Sequence, residues 1–207
     1  MKIPLRYQMT EYDCGPTSML NAISYLFERD EIPPDIPKYI MMYCLDAYNG
    51  KGEFGKSGTS QMAMMFLSSW LNQFSKAKKF PICCSYLSGD EVRISADSPI
   101  VGALQQGGAV VIRLLYGCWH YVLLTGTRGD EIELFDPYYR KRQFTMPGIE
   151  LIPDKPLQEN RRVAFGVMNR EEKGRPYALG PLETREAVIL FNRETRKTPE
   201  KTIEYFL

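Results

Sequence analysis

Four residues far apart in the chain have the types and local settings for chemistry at a carbonyl group. Cys14 lies just before Gly15-Pro16, at the start of a helical pattern, where the positive helix end stabilises a thiolate. His120 opens the apolar run HYVLLTGT, a rigid position for a general base. Asp136 ends another such run directly before Pro137, so it belongs at a rim. Gln8 stands six residues ahead of Cys14. Taken singly, each has an ordinary reading as a buried thiol, a structural histidine, a turn residue and a surface amide. Taken together they form a working set. Cys14 attacks a carbonyl carbon, His120 exchanges the proton, and Asp136 holds the imidazole. The Gln8 side-chain N–H and the Cys14 backbone N–H receive the oxyanion.

A second motif points to different chemistry. Residues 50–57, GKGEFGKS, fit the G-x-x-x-x-G-K-S pattern of a phosphate-binding loop. Such a loop needs a buried strand leading in and a helix starting at its Lys-Ser, so that backbone amides and helix dipole meet the phosphates. The lead-in here is IMMYCLDAYN, which has no β-branched run, and the next helical pattern starts at Ser60. Downstream, ELFDP belongs to an alternating polar–apolar hairpin, unlike a buried parallel strand. A flexible surface loop between two helices is therefore expected, with Lys56 and Ser57 exposed.

Composition narrows the remaining classes. A chain of 207 residues with 44% hydrophobic residues can bury a real core. A formal charge of +1 lacks the basic excess of a nucleic-acid binder. No apolar run approaches the roughly 18 residues that span a bilayer, and the N-terminus is too polar for a secretory signal. A cytoplasmic protein without membrane spans is expected. Five irregularly spaced cysteines and a single histidine suit neither a disulfide framework nor a zinc site, so reduced thiols and no metal or cofactor are expected. Cys83 and Cys84 should point to opposite faces of one strand.

The elements that must position these residues change character along the chain. Met19, Leu20, Ile23, Leu26 and Phe27 recur at helical spacing after Cys14, and Pro16 suits a first helical turn. Pro33-Pro34 breaks the chain, and a short helix is expected over 38–45. Ser60 can cap a third helix in which Met62, Met65, Phe66, Ser69 and Leu71 outline the buried face. Beyond Phe80 the period changes. FPICCSYL reads as a strand and SPIVGALQQG as a short helix capped by Ser98. GAVVIRLLY, WHYVLLTGT and EIELFDPYY read as strands, the last two joined by Arg128-Gly129-Asp130. VAFGVM (163–168) and AVILFN (187–192) read as further strands, with a mobile charged tail after Asn192. Helices first and antiparallel strands later make an α+β chain.

The residues so far quoted resemble a family. Q-x-x-E-x-D-C-G at Gln8–Gly15, Gly58-Thr59-Ser60 opening a helix, His120-Tyr121-Val122-Leu123-Leu124, and Phe135-Asp136-Pro137 occur in the order of the papain-like, bacteriocin-processing (double-glycine leader) cysteine peptidases of bacteria. The sixteen residues from His120 to Asp136, across a hairpin, fit it too. The match covers about residues 1–145, and the absence of membrane-span and nucleotide-domain patterns makes a free-standing relative the nearer likeness. The resemblance implies a papain-like α+β fold with a peptidase core over 1–149: a helical lobe to about 79 and a strand-rich lobe from about 80. Residues 150–207 are then a C-terminal extension of the strand-rich lobe. It implies Cys14, His120 and Asp136 as catalytic residues, Gln8 as oxyanion donor, and a peptide or protein substrate, cut after a Gly-Gly type leader. The same trio also serves acyl and amide transferases, and a non-catalytic peptide-binding module is the reading from another class.

Overall fold

The run Ala187–Phe191 is apolar at every position, as a strand covered on both faces must be. In the structure, a computed structural model that describes residues 1–155, 157–172 and 174–197, this run is strand β7 (Glu186–Asn192), buried along its whole length. It lies between β1 (Ile82–Ser88) and β2 (Ala109–Leu115) in a sheet completed by β3 (Trp119–Arg128), β4 (Glu131–Phe135), β5 (Ile149–Leu151) and β6 (Arg161–Ala164). Among the described residues the order is β1-β7-β2-β3-β4-β6-β5, and every pair is antiparallel. This is the α+β order expected: helices α1 (Cys14–Leu26), α2 (Asp35–Cys44) and α3 (Gln61–Lys78) precede all the strands. No helix of the described residues is long and apolar enough to cross a membrane.

Strand alternation sorts the core into two layers. Met19, Ile23, Leu67 and Leu71 from the N-terminal helices pack with Val111, Leu123, Val188 and Leu190 on one face. On the other, Ile100 and Leu104 of α4 (Pro99–Gln105) pack with Val110, Ile112, Val122 and Ile189. Cys84 joins the first layer and Cys83 borders the second, as a period of two requires.

Three local expectations need correction. The buried face of α3 is Ala63, Met64, Leu67, Ser68, Leu71, Phe74 and Ser75, while Met62, Met65 and Phe66 are exposed. Apolar residues surround the first turns of this helix, so periodicity alone did not set the rotation, and packing on β1 does. VAFGVM does not continue as a strand, because Phe165–Met168 forms the short helix α5. Ala164 pairs with Glu131, the first residue of β4, and beyond it β6 has no ladder left to join. The tail after Asn192 is held at its start: the Lys197 backbone N–H donates to the Gln106 carbonyl, and the Arg196 guanidinium stacks 4.0 Å from the Phe191 ring and donates to Gln106 Oε1. Residues 198–207 of the expected tail lie outside the described residues.

Candidate active site

The segment before α1 is tied at both ends. Arg6 exchanges two hydrogen bonds with the Asn21 side chain, 2.8 and 2.9 Å, and the Gln8 N–H donates to the Pro137 carbonyl at 2.8 Å. Between them the Asp13 carboxylate accepts from the N–H groups of Met9 and Thr10 and from the Thr10 hydroxyl. Asp13 therefore folds the loop back over the helix start instead of capping the helix itself. That fold delivers Cys14 as the first residue of α1, with Pro16 in the first turn, where a missing N–H costs nothing.

The helix start presses against the turn that precedes α3. A Cβ on Gly15 would lie 2.2 Å from Thr59 Oγ1, so this approach demands glycine. The turn is fixed from below by Asp46, which accepts from the Ser60 N–H at 2.9 Å and hydroxyl at 2.5 Å, while Ser60 caps α3 through the Ala63 N–H. The lead-in to GKGEFGKS is helix α2, and α3 starts four residues after Ser57; no strand–loop–helix unit forms. Nor is the loop merely a flexible connector. Asn49 Oδ1 accepts from the N–H groups of Lys51 and Glu53, Lys56 pairs with Glu53 at 2.9 Å, and a bridge joins Tyr48 to Phe54. Lys56 and Ser57 are exposed as expected, yet they form a wall of the cleft described next.

A cleft of about 850 Å³ brings the sequence-predicted residues together. Gln8, Cys14 and His120 line it, with Thr59, Tyr116 and Trp119 among the surrounding walls. Cys14 is 7% exposed, and its thiol is close enough to the His120 imidazole to raise the ring's pKa. His120 Nε2 faces Asp136 Oδ1 at 2.7 Å. The Asp136 carboxylate does not reach the cleft, being fully buried behind the imidazole. Gln8 Nε2 donates to the Thr10 carbonyl at 2.8 Å, the one bond seen from it among the described residues, which leaves its second proton available. Its Oε1 is buried without a partner.

Electrostatics follow from this burial. Desolvation pushes the imidazole towards neutrality, but the adjacent Asp136 charge, the bond to it and the Cys14 thiol override that and raise His120 to about 10. Burial likewise pushes the Asp136 carboxyl up, yet the His120 charge, the hydrogen bonds from His120 and Tyr177, and the Arg161 charge hold it below its ordinary value. The pair is thus an ion pair, imidazolium against carboxylate. A ring held as imidazolium beside the thiol favours negative charge on sulfur and keeps a proton ready for a leaving group.

Several residues of the site were not found by sequence reasoning. Tyr177 OH donates to Asp136 Oδ2 at 2.6 Å, and the Tyr138 N–H donates to Oδ1 at 2.8 Å. Asn160 accepts from the Asp136 N–H and donates to its carbonyl, 2.7 and 2.8 Å. A second buried group lies under the Cys14 side of the cleft: Glu186 accepts from Tyr121 OH at 2.5 Å and Tyr86 OH at 2.9 Å, with the Arg113 Nε 3.2 Å away. Its carboxyl is raised by burial, against the hydrogen bonds and the arginine that lower it. Of these residues, Tyr121 alone stands in a motif of the resemblance, and no role was read from it there.

No family model matches the chain, and no curated protein does. Among solved structures the chain is similar to a double glycine motif protease from an AMS/PCAT transporter, crystallised in complex with the leader peptide. That likeness has 14% sequence identity and a TM-score of 0.44, over 92% of this chain and 90% of that one. The functional reading rests on the geometry of the site itself.

Proposed function

We propose that the chain is a papain-like cysteine peptidase. The observation that carries this reading is the line Cys14–His120–Asp136 at the floor of an open cleft: thiol on a helix start, imidazole on a strand, carboxylate buried behind. In this reading a substrate carbonyl enters beside the Cys14 thiol. The Cys14 proton resides on His120 when sulfur attacks, and the oxyanion meets the Cys14 backbone N–H and the free amide proton of Gln8. The imidazolium then protonates the leaving amine, and water admitted by the open cleft hydrolyses the thioester by the reverse proton path. Asp136 keeps the ring oriented and offsets its charge throughout.

The finer reading, cleavage after a Gly-Gly type leader, follows from the motif resemblance. The test is mass spectrometry of the protein incubated with an electrophilic peptide probe ending in Gly-Gly, and with one bearing bulky residues at both positions. A covalent adduct on Cys14, absent in Cys14→Ala and favoured by the Gly-Gly probe, is expected. No adduct with any probe rejects the peptidase, and an adduct favouring the bulky probe rejects the leader specificity alone.

A further inference from the structure

Behind the proposed trio, the chain beyond residue 150 packs a tyrosine against the one catalytic side chain that the cleft does not touch. Tyr177 is fully buried, and its hydroxyl lies 2.6 Å from Asp136 Oδ2. The other carboxylate oxygen is occupied by His120 Nε2 and the Tyr138 N–H. Both oxygens are therefore held, and the plane of the carboxylate is fixed relative to the imidazole. The tyrosine hydroxyl is itself oriented, because Arg161 Nε donates to it at 3.1 Å. That leaves the hydroxyl proton for Asp136. Arg161 is 1% exposed and is fixed by its own bonds to the carbonyls of Asn160 and Tyr138.

The backbone of Tyr177 adds an independent observation. Its φ is +65°, a left-handed conformation that a bulky aromatic residue rarely adopts. The surroundings enforce it: the Tyr177 N–H donates to the Leu115 carbonyl at 2.7 Å, and the Leu115 N–H donates to the Ala178 carbonyl at 2.8 Å. Strain of this kind persists where neighbouring structure over-determines it, and it gathers at functional sites. Here it aims a phenol from a turn, between the sheet and the ring of Tyr116, at the buried carboxylate.

We infer that Tyr177, oriented by Arg161, is a positioning residue of the catalytic centre that anchors Asp136 in its ionised, His120-facing geometry. The inference rests on the cysteine peptidase reading for its meaning but not for its test. The charged and titratable groups that face the Tyr177–Asp136 pair are His120 from β3, Arg161 from β6 and Tyr116 from the turn after β2. Burial raises the Tyr177 phenol, and the Asp136 charge raises it further despite Arg161, so it stays a proton donor wherever Asp136 is ionised.

The single histidine makes the test direct, since any imidazole resonance of the full chain belongs to His120. Two readouts are followed against pH in wild type and Tyr177→Phe: the His120 Nε2–H proton by NMR, and iodoacetamide labelling of Cys14 by peptide mapping. A hydrogen bond to a charged carboxylate favours its ionised form, so losing one should move the acid limb of both profiles up by about one pH unit. Site-specific 3-fluorotyrosine at 177 keeps the packing and is a stronger donor, so it should move both limbs down. A purely structural tyrosine would lower the Tm of Tyr177→Phe and leave both limbs in place, and that result overturns the inference. If Tyr177→Phe does not fold, unmoved limbs in the fluorotyrosine protein overturn it equally. Absence of preferential Cys14 labelling in wild type rejects the peptidase reading instead, and the His120 proton still decides the role of Tyr177.

Discussion

Five cysteines compete for an electrophile in this chain, and burial separates them. Cys44 and Cys84 lie in the core, where desolvation pushes their thiols up and out of reach. Cys83 is half-buried and Cys118 is exposed at the cleft rim. An ordinary exposed thiol is almost wholly protonated at about pH 6, whereas a neighbouring imidazolium favours the reactive thiolate. Cys14 should therefore be the first residue alkylated by iodoacetamide at that pH, and in His120→Ala the exposed Cys118 should overtake it. Peptide mapping that finds Cys118 labelled first in wild type removes Cys14 as nucleophile. Gln8→Ala makes a sharper distinction. It should cut turnover by about 10²–10³-fold, the effect of losing one oxyanion donor, with Cys14 alkylation unaltered. Turnover at the wild-type rate would mean that the Gln8 amide serves only its bond to Thr10. These residues were legible because their chemistry is local: a cysteine before Gly-Pro, a histidine opening a strand, an aspartate before proline. Tyr177 was not, since it meets Asp136 across 41 residues from a turn with no pattern of its own.

At the scale of elements, the site depends on how closely α1 and the turn before α3 approach. Gly15→Ala puts a methyl group 2.2 Å from Thr59 Oγ1, and neither neighbour can retreat freely, because Thr59 adjoins the Asp46–Ser60 bonds. Overpacking of this kind costs about 1–3 kcal/mol. Thermal unfolding should record that loss together with slower Cys14 labelling, because the displaced turn carries a cleft wall. A Gly15→Ala protein of unchanged Tm and reactivity would show that the wall yields freely. The three N-terminal helices and the antiparallel order were readable from periodicity, and the Ser98 and Ser60 caps from residue type. The rotation of α3 was not, because Met62, Met65 and Phe66 are as apolar as the residues it buries. The end of β6 was not either, since it is fixed by where β4 begins and not by anything in VAFGVM itself.

For the molecule as a whole, the buried ion pair ties folding to pH. His120 ionises near 6.5 in an unfolded chain but at about 10 here, so its contribution to stability is complete below about pH 6.5 and is lost as pH rises towards 10. Asp136 acts at the other end. Its lowered carboxyl contributes fully above its ordinary 3.8, and that contribution is lost as acid reaches the lowered folded value. Wild type should show a Tm that falls across the window from about 6.5 to 10, and Asp136→Asn should flatten that slope. Equal slopes in the two proteins would refute the coupling. The position of β7 has a different consequence, one of timing. A chain growing from its N-terminus makes β1 and β2 early, yet their shared neighbour is complete only when residue 192 has been added. Until then two apolar strand edges stand open, and such edges recruit other chains. Long-range pairing of this sort slows folding and lengthens exposure to aggregation. The helix that carries Cys14 packs on β3, and β3 is seated on β2. A half-made molecule therefore holds Cys14, His120 and Asp136 without a finished sheet beneath them until synthesis has passed β7.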